Sequence, residues 1–166
     1  MDSPNAAGPP SREISRDGIV IKVTPLHAES VAGFLIGRGF PTREAKRYAE
    51  GCVVNVMLRN ESGRETIDYD LRSWRTRSDG GTSRRLSTRE EFLKQWRAAA
   101  LPTAALMGFE WSQLPTPLEL HAGDSARGMV HTGLAAGSRF DLLLEWKAGG
   151  RTHREDAKGI DCAPPS

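Results

Sequence analysis

The chain has 166 residues, the size of one ordinary domain, with 38% hydrophobic and 27% charged residues and a formal net charge of +2. No apolar run approaches the roughly 20 residues that a membrane-spanning helix needs. Seventeen glycines and ten prolines punctuate short apolar runs as turns punctuate strands, which excludes a helix bundle or a coiled coil, and the near-neutral balance selects no class of partner.

Residues 1–17 open the chain with a Pro-, Ala-, Gly- and Ser-rich stretch that has no apolar block and no basic leader. That composition predicts a flexible tail, of the kind that follows a removed export signal. Ile19, Ile21 and Val23 alternate with Val20, Lys22 and Thr24 ahead of Pro25, the period of a strand. Val31–Ile36 is a second apolar run, closed by Gly37-Arg38-Gly39. A short helix follows over about 41–50: Pro41 suits its first turn, Gly51 its C-terminal cap, and Ala45, Tyr48 and Ala49 share one face.

Cys52, Val54, Val56 and Leu58 then line one face of a strand, and Asn60-Glu61-Ser62-Gly63 turns the chain back. Thr66–Trp74 reads as the returning strand, with Ile67, Tyr69 and Leu71 inward and Asp68, Asp70 and Arg72 outward; Asp79-Gly80-Gly81 closes the stretch. A second helix spans about 88–100. Ser87 with Glu90, or Thr88 with Glu91, makes its capping box, Phe92, Leu93, Trp96, Ala99 and Ala100 recur at helical spacing, and Pro102 ends it. Met107, Phe109 and Trp111 alternate with Gly108 and Glu110 and read as strand. Leu118 and Leu120, the run from Gly128 to Leu134, the stripe Phe140, Leu142, Leu144 and Trp146, and a last segment from Thr152 to Ile160 complete the set. Roughly seven to nine short strands with two inserted helices predict an antiparallel sandwich. It forms a single domain over 18–162, with 163–166 as a C-terminal tail.

Cys52 and Cys162 show neither C-x-x-C nor metal-ligand spacing. A bond between them would close a loop of roughly 100 residues, worth up to ~4–5 kcal/mol in the chain-entropy account; two unrelated buried thiols are the alternative. Paired cysteines favour an exported protein, periplasmic or secreted.

Residues 118–130, Leu-Glu-Leu-His-Ala-Gly-Asp-Ser-Ala-Arg-Gly-Met-Val, followed by Phe140-Asp-Leu-Leu-Leu-Glu-Trp, resemble immunoglobulin-like sandwich modules of bacterial exported lipoproteins. The resemblance implies an immunoglobulin-like sandwich and a non-catalytic binding or scaffold role. The two helices and the Gly37-Arg38-Gly39-Phe40-Pro41 element depart from that pattern.

Gly123-Asp124-Ser125 is similar to the nucleophile segment of serine proteases, but Ala126 and Arg127 stand where glycines are needed, which leaves a turn. Glu61, Glu65, Asp68 and Asp70 read as a charged outer strand face rather than a paired-carboxylate site. Asn60-Glu61-Ser62 matches a glycosylation sequon. A hairpin centred on Ala126 would place His121 opposite His131 with Met129 on the same face, an imidazole–thioether set that suits copper; His27 and His153 show no such spacing. Between Arg72 and Arg89 lie six arginines (72, 75, 77, 84, 85 and 89) against one acid, Asp79, with Trp74 among them. Arg and Trp anchor interfaces, so Arg72, Trp74, Arg75, Arg77, Arg84 and Arg85 form the candidate partner surface. It suits an acidic protein or an anionic membrane surface, while no recognition motif points to nucleic acid. The expected function is an exported, non-enzymatic binding or assembly module without a cofactor. The alternative is a periplasmic copper-binding or copper-delivery protein.

Overall fold

Period-two alternation, clearest in the longer strands, builds two antiparallel sheets that face each other across an apolar interior. The computed structural model describes residues 9–78 and 81–165; the first eight residues of the expected tail and Asp79-Gly80 of the expected turn lie outside them. The first sheet has the order β1 (Arg12–Arg16), β2 (Ile19–Pro25), β3 (Gly51–Asn60) and β8 (Ser125–Ala135). In the second, β9 (Arg139–Ala148) pairs along its whole length with β10 (Arg151–Asp161). On its other edge it pairs with β5 (Arg75–Ser78) and then β4 (Ile67–Tyr69). The edge strands β6 (Ser83–Arg85) and β7 (Leu118–Leu120) pair with β5 and β4.

The inward stripes meet between the sheets. Ile19, Ile21 and Val23 of β2 and Val54, Val56 and Leu58 of β3 pack with Phe140, Leu142, Leu144 and Trp146 of β9. Cys52 on β3 and Cys162, just beyond β10, are bonded to each other with their Cα atoms 5.5 Å apart, so the crosslink ties one sheet to the other.

Among the described residues four helices, not two, cover the outer face of the first sheet: α1 (Ala28–Gly37), α2 (Thr42–Ala49), α3 (Arg89–Ala98) and α4 (Thr103–Ser112). The Val31–Ile36 run belongs to α1, which buries Val31, Ala32 and Leu35. Met107, Phe109 and Trp111 are helical as well. Every second residue is apolar there by coincidence; the working pattern is i, i+4, with Ala105 and Phe109 buried and Met107 and Trp111 exposed. Pro102 both ends α3 and stands at the N-cap of α4, a position where a missing N–H costs nothing. Thr88 rather than Ser87 caps α3, its Oγ1 accepting from the Glu91 N–H at 3.3 Å.

Two more expectations change. Residues 12–16 are β1, not tail: Asp17 and Gly18 (φ 50° and 83°) form the tight turn that pairs Ser15 with Val20. Only Ile14 is apolar in this strand, so its sequence carries little periodicity. The side chains of Arg12 and Arg16 reach carbonyls of β10, which ties the β1 edge to the second sheet. The expected strand Thr66–Trp74 is broken after Tyr69 by a 3-10 turn, Leu71–Ser73, which Asp70 caps. The strand resumes as β5 on the same edge of β9.

Candidate functional site

The arginine segment separates into paired and unpaired members. Arg72 grips Asp70 with Nε at 3.1 Å from both oxygens and Nη2 at 2.7 Å from Oδ2. That contact holds the Asp70 carboxyl below the usual carboxylate range. Arg77 spans two strands, with Nη2 at 3.2 Å from Asp141 and 3.3 Å from Asp156. The Asp141 carboxyl is also lowered, chiefly by the Gly159 N–H that donates to it and further by Arg77. Arg89 meets Glu90 and the Thr116 carbonyl.

Arg75, Arg84 and Arg85 remain. All three are exposed, and among the described residues no carboxylate lies within ion-pair distance of them. In the β5–β6 register Arg75 lies directly opposite Arg85, a like-charge cross-strand pair that costs a few tenths of a kcal/mol. Trp74 does not join them. Its side chain is fully buried between the sheets and its Nε1 donates to the Glu145 carbonyl at 2.8 Å. The indole fills the gap left where the strand breaks, so the candidate partner surface loses its aromatic member.

The proposed hairpin about Ala126 does not form. β7 pairs with β4 in the second sheet, whereas β8 pairs with β3 in the first, so His121, just past the end of β7, and His131, within β8, are not cross-strand neighbours. His121 is exposed, with Nδ1 3.3 Å from the Thr66 hydroxyl. His131 and Met129 project from β8 towards the helices, where His131 packs 5.1 Å from both Tyr48 and Phe92. Gly133 N–H donates to its Nδ1 at 3.0 Å and the Tyr48 backbone bonds the ring from the other side. Burial pushes its pKa down to about 4. A neutral ring with both nitrogens engaged offers no free lone pair to a metal. Gly51 makes the site possible, since any Cβ there would lie 2.3 Å from Nε2.

Beside His131 a cavity of about 180 Å³ opens between the rim of the second sheet and β8. Leu71, Leu86, Leu114 and Val130 line its floor, and the Asp70–Arg72 and Arg89–Glu90 pairs stand at its mouth. The mouth is charge-balanced and the floor apolar.

The remaining motifs are structural. In Gly123-Asp124-Ser125, Asp124 accepts from the His121 N–H at 3.0 Å and Gly123 N–H donates to the Asn60 carbonyl at 2.9 Å, which makes it a turn. Glu61 pairs with Arg59, while Asp68 is exposed. The sequon's Asn60 is fully buried. Its amide donates to the Glu65 and Leu120 carbonyls and its Oδ1 accepts from Ser62, so the side chain clips the loop rather than facing solvent.

Sequence reasoning missed one surface. Trp111 is 81% exposed, and with Phe34, Met107 and Gly108 it lines a groove of about 370 Å³ between α1 and α4. The i, i+4 spacing of Met107 and Trp111 was the available signal.

Among known proteins, no family model matches this chain, and no curated protein does so. Two solved structures are similar in shape. A Bacillus subtilis protein designated a lipoprotein (ycdA) aligns with a TM-score of 0.47 and 14% identity over 90% of this chain. This chain spans 39% of that protein's length. A DUF4426 family protein from Pseudomonas aeruginosa aligns with a TM-score of 0.43 and 7% identity, covering 94% of this chain and 97% of its own.

Proposed function

We propose that this protein is an exported, non-enzymatic binding module that captures an acidic, extended segment of a protein partner along the β6 edge. The observation that carries the reading is the opposed pair of Arg75 on β5 and Arg85 on the edge strand β6, with Arg84 next along β6 opposite Thr76. Arginines on an edge strand repel a second copy of the same edge. A carboxylate-bearing strand instead relieves the repulsion between Arg75 and Arg85, with bidentate pairs for charge and backbone hydrogen bonds for register. The inter-sheet disulfide supports an oxidising compartment. The engaged ring of His131 and the turn at Gly123-Asp124-Ser125 favour a binder over a catalyst.

A synthetic peptide alternating Glu with Val tests this directly. The protein should bind it more tightly at low salt than at high salt, and Arg75→Glu with Arg85→Glu should abolish binding without lowering thermal stability, because exposed charges contribute roughly 0–1 kcal/mol per pair. Arg77 is unsuitable for such a reversal, since it holds Asp141 and Asp156. Binding that ignores salt and survives the double reversal would sink the assignment.

A further inference from the structure

We propose that the α1–α4 face docks onto an anionic lipid bilayer surface. The four helices differ sharply in what they show to solvent. α2 exposes Arg43, Lys46 and Arg47, and α3 exposes Glu90, Glu91 and Lys94, as surface helices do. The neighbouring faces of α1 and α4 expose Phe34, Met107 and Trp111 instead, while Ile36 is exposed on the other flank of α1. Among the described residues Arg38 is the single charge lining the groove. Gly108 lets the Arg38 stem lie across α4, since a Cβ there would be 3.2 Å from it, and the guanidinium sits 4.4 Å from the Phe34 ring centroid. An apolar stem with its charge held over an aromatic ring is the arrangement of a side chain at a water–hydrocarbon boundary.

Two arguments select a lipid surface as the occupant. The first is charge. Arg38, Arg43, Lys46 and Arg47 are exposed on α1's end and α2, which pack together, and no carboxylate among the described residues lies within ion-pair distance of any of them. With Glu29, Glu44 and Glu50 on the same two helices the excess is one positive charge, and Arg38 is the cation that lines the groove itself, which favours anionic lipid. The second is area. A stable protein dimer needs about 20–30 residues a side, far more than this groove and its rim supply. A bilayer needs no shape-matched partner, only a few inserted side chains of the Trp, Phe and Met type flanked by cations.

Trp111 makes the test direct, because the other tryptophans, Trp74, Trp96 and Trp146, are 0%, 4% and 1% exposed. Vesicles of phosphatidylcholine containing about 30% phosphatidylglycerol should shift the emission to the blue and protect it from acrylamide. Pure phosphatidylcholine should do so several-fold less. Phe34→Ser, which keeps the reporter, should weaken partition about ten-fold, and Trp111→Ser should do the same by vesicle cosedimentation with an unchanged circular dichroism spectrum. Arg84→Glu should leave partition intact, which separates this face from the β6 edge. An absent shift at millimolar lipid overturns the proposal, as does equal partition into both vesicle types. A blue shift that grows with protein concentration in the absence of lipid overturns it in favour of a second copy.

Discussion

The first sheet has a different interior on each side. Towards the second sheet it buries aliphatic stripes at strand spacing, crossed by one disulfide. Towards the helices it presents Val53 and Met129 to a cluster of rings: Phe40, Tyr48, Phe92, Trp96 and Phe109. These rings meet mostly edge to face, with centroids 4.6 to 6.3 Å apart. They come from three of the short helices, α2, α3 and α4, and the loop before α2, and among the described residues no disulfide ties that layer down. The inter-sheet core is therefore specified along each strand, and the helical layer mainly by contacts between segments far apart in sequence.

That contrast breaks most visibly at Phe109, which is fully buried and touches Phe40, Tyr48, Phe92 and Trp96. Phe109→Ala should cost about 3–5 kcal/mol. Its signature should be local: amides of α1 and α4 should exchange well before those of β9 and β10. Uniform acceleration across both layers would show that the two interiors unfold as one unit.

The crosslink sharpens the same division from the other side. Replacing Cys52 and Cys162 together by Ala should cost about 2–5 kcal/mol, with the loss spread through both sheets and the helices' local opening little changed. Thiol labelling of denatured, unreduced protein should find no free cysteine; two reactive thiols would refute the bond.

A proton probes the helical side alone. His131 has a folded pKa of about 4, below the usual 6.5 of an unfolded chain. As pH falls below 6.5 the unfolded state takes up the proton first, so stability is complete above that value and drains away towards pH 4. The loss amounts to about 3 kcal/mol. The pH dependence of the denaturant midpoint should flatten over this window in His131→Gln. A slope unchanged by the substitution would mean that the carboxylates alone account for it.

The legible part of the sequence follows the first of these interiors. Alternation in β2, β3 and β9 gave their inward faces residue by residue, because a strand between two sheets repeats every two positions over its whole length. β1 was hidden because it is anchored by backbone pairing to β2 and by its own Arg12 and Arg16 reaching β10 carbonyls, with Ile14 as its single apolar contact. α1 and α4 were hidden because their outer faces carry Phe34, Ile36, Met107 and Trp111, so the polar half of a helical pattern is missing. The candidate site suffered from the same cause in reverse. Trp74 sits among arginines in sequence, yet the broken strand turns it inward, while the exposed tryptophan lies in a segment whose chance alternation imitated a buried strand.

The smallest expected effect lies where the helical layer turns between α3 and α4. Ala100 follows the C-cap of α3 with φ 57°, and its N–H bonds to the Arg97 carbonyl while Leu101 N–H reaches back to Trp96. This is the position at which helices usually carry glycine, because a Cβ in the left-handed region crowds the following carbonyl. Ala100→Gly removes that strain, worth roughly 1 kcal/mol, but also widens the unfolded ensemble, which returns about 0.4–1 kcal/mol. The balance should be a stabilisation of a few tenths of a kcal/mol, read as a rise in thermal midpoint. Ala100→Val at the same position should lower it, because a β-branched side chain tolerates positive φ least. If both substitutions move the midpoint the same way, the left-handed turn does not set the junction and the helical layer is held by its rings alone.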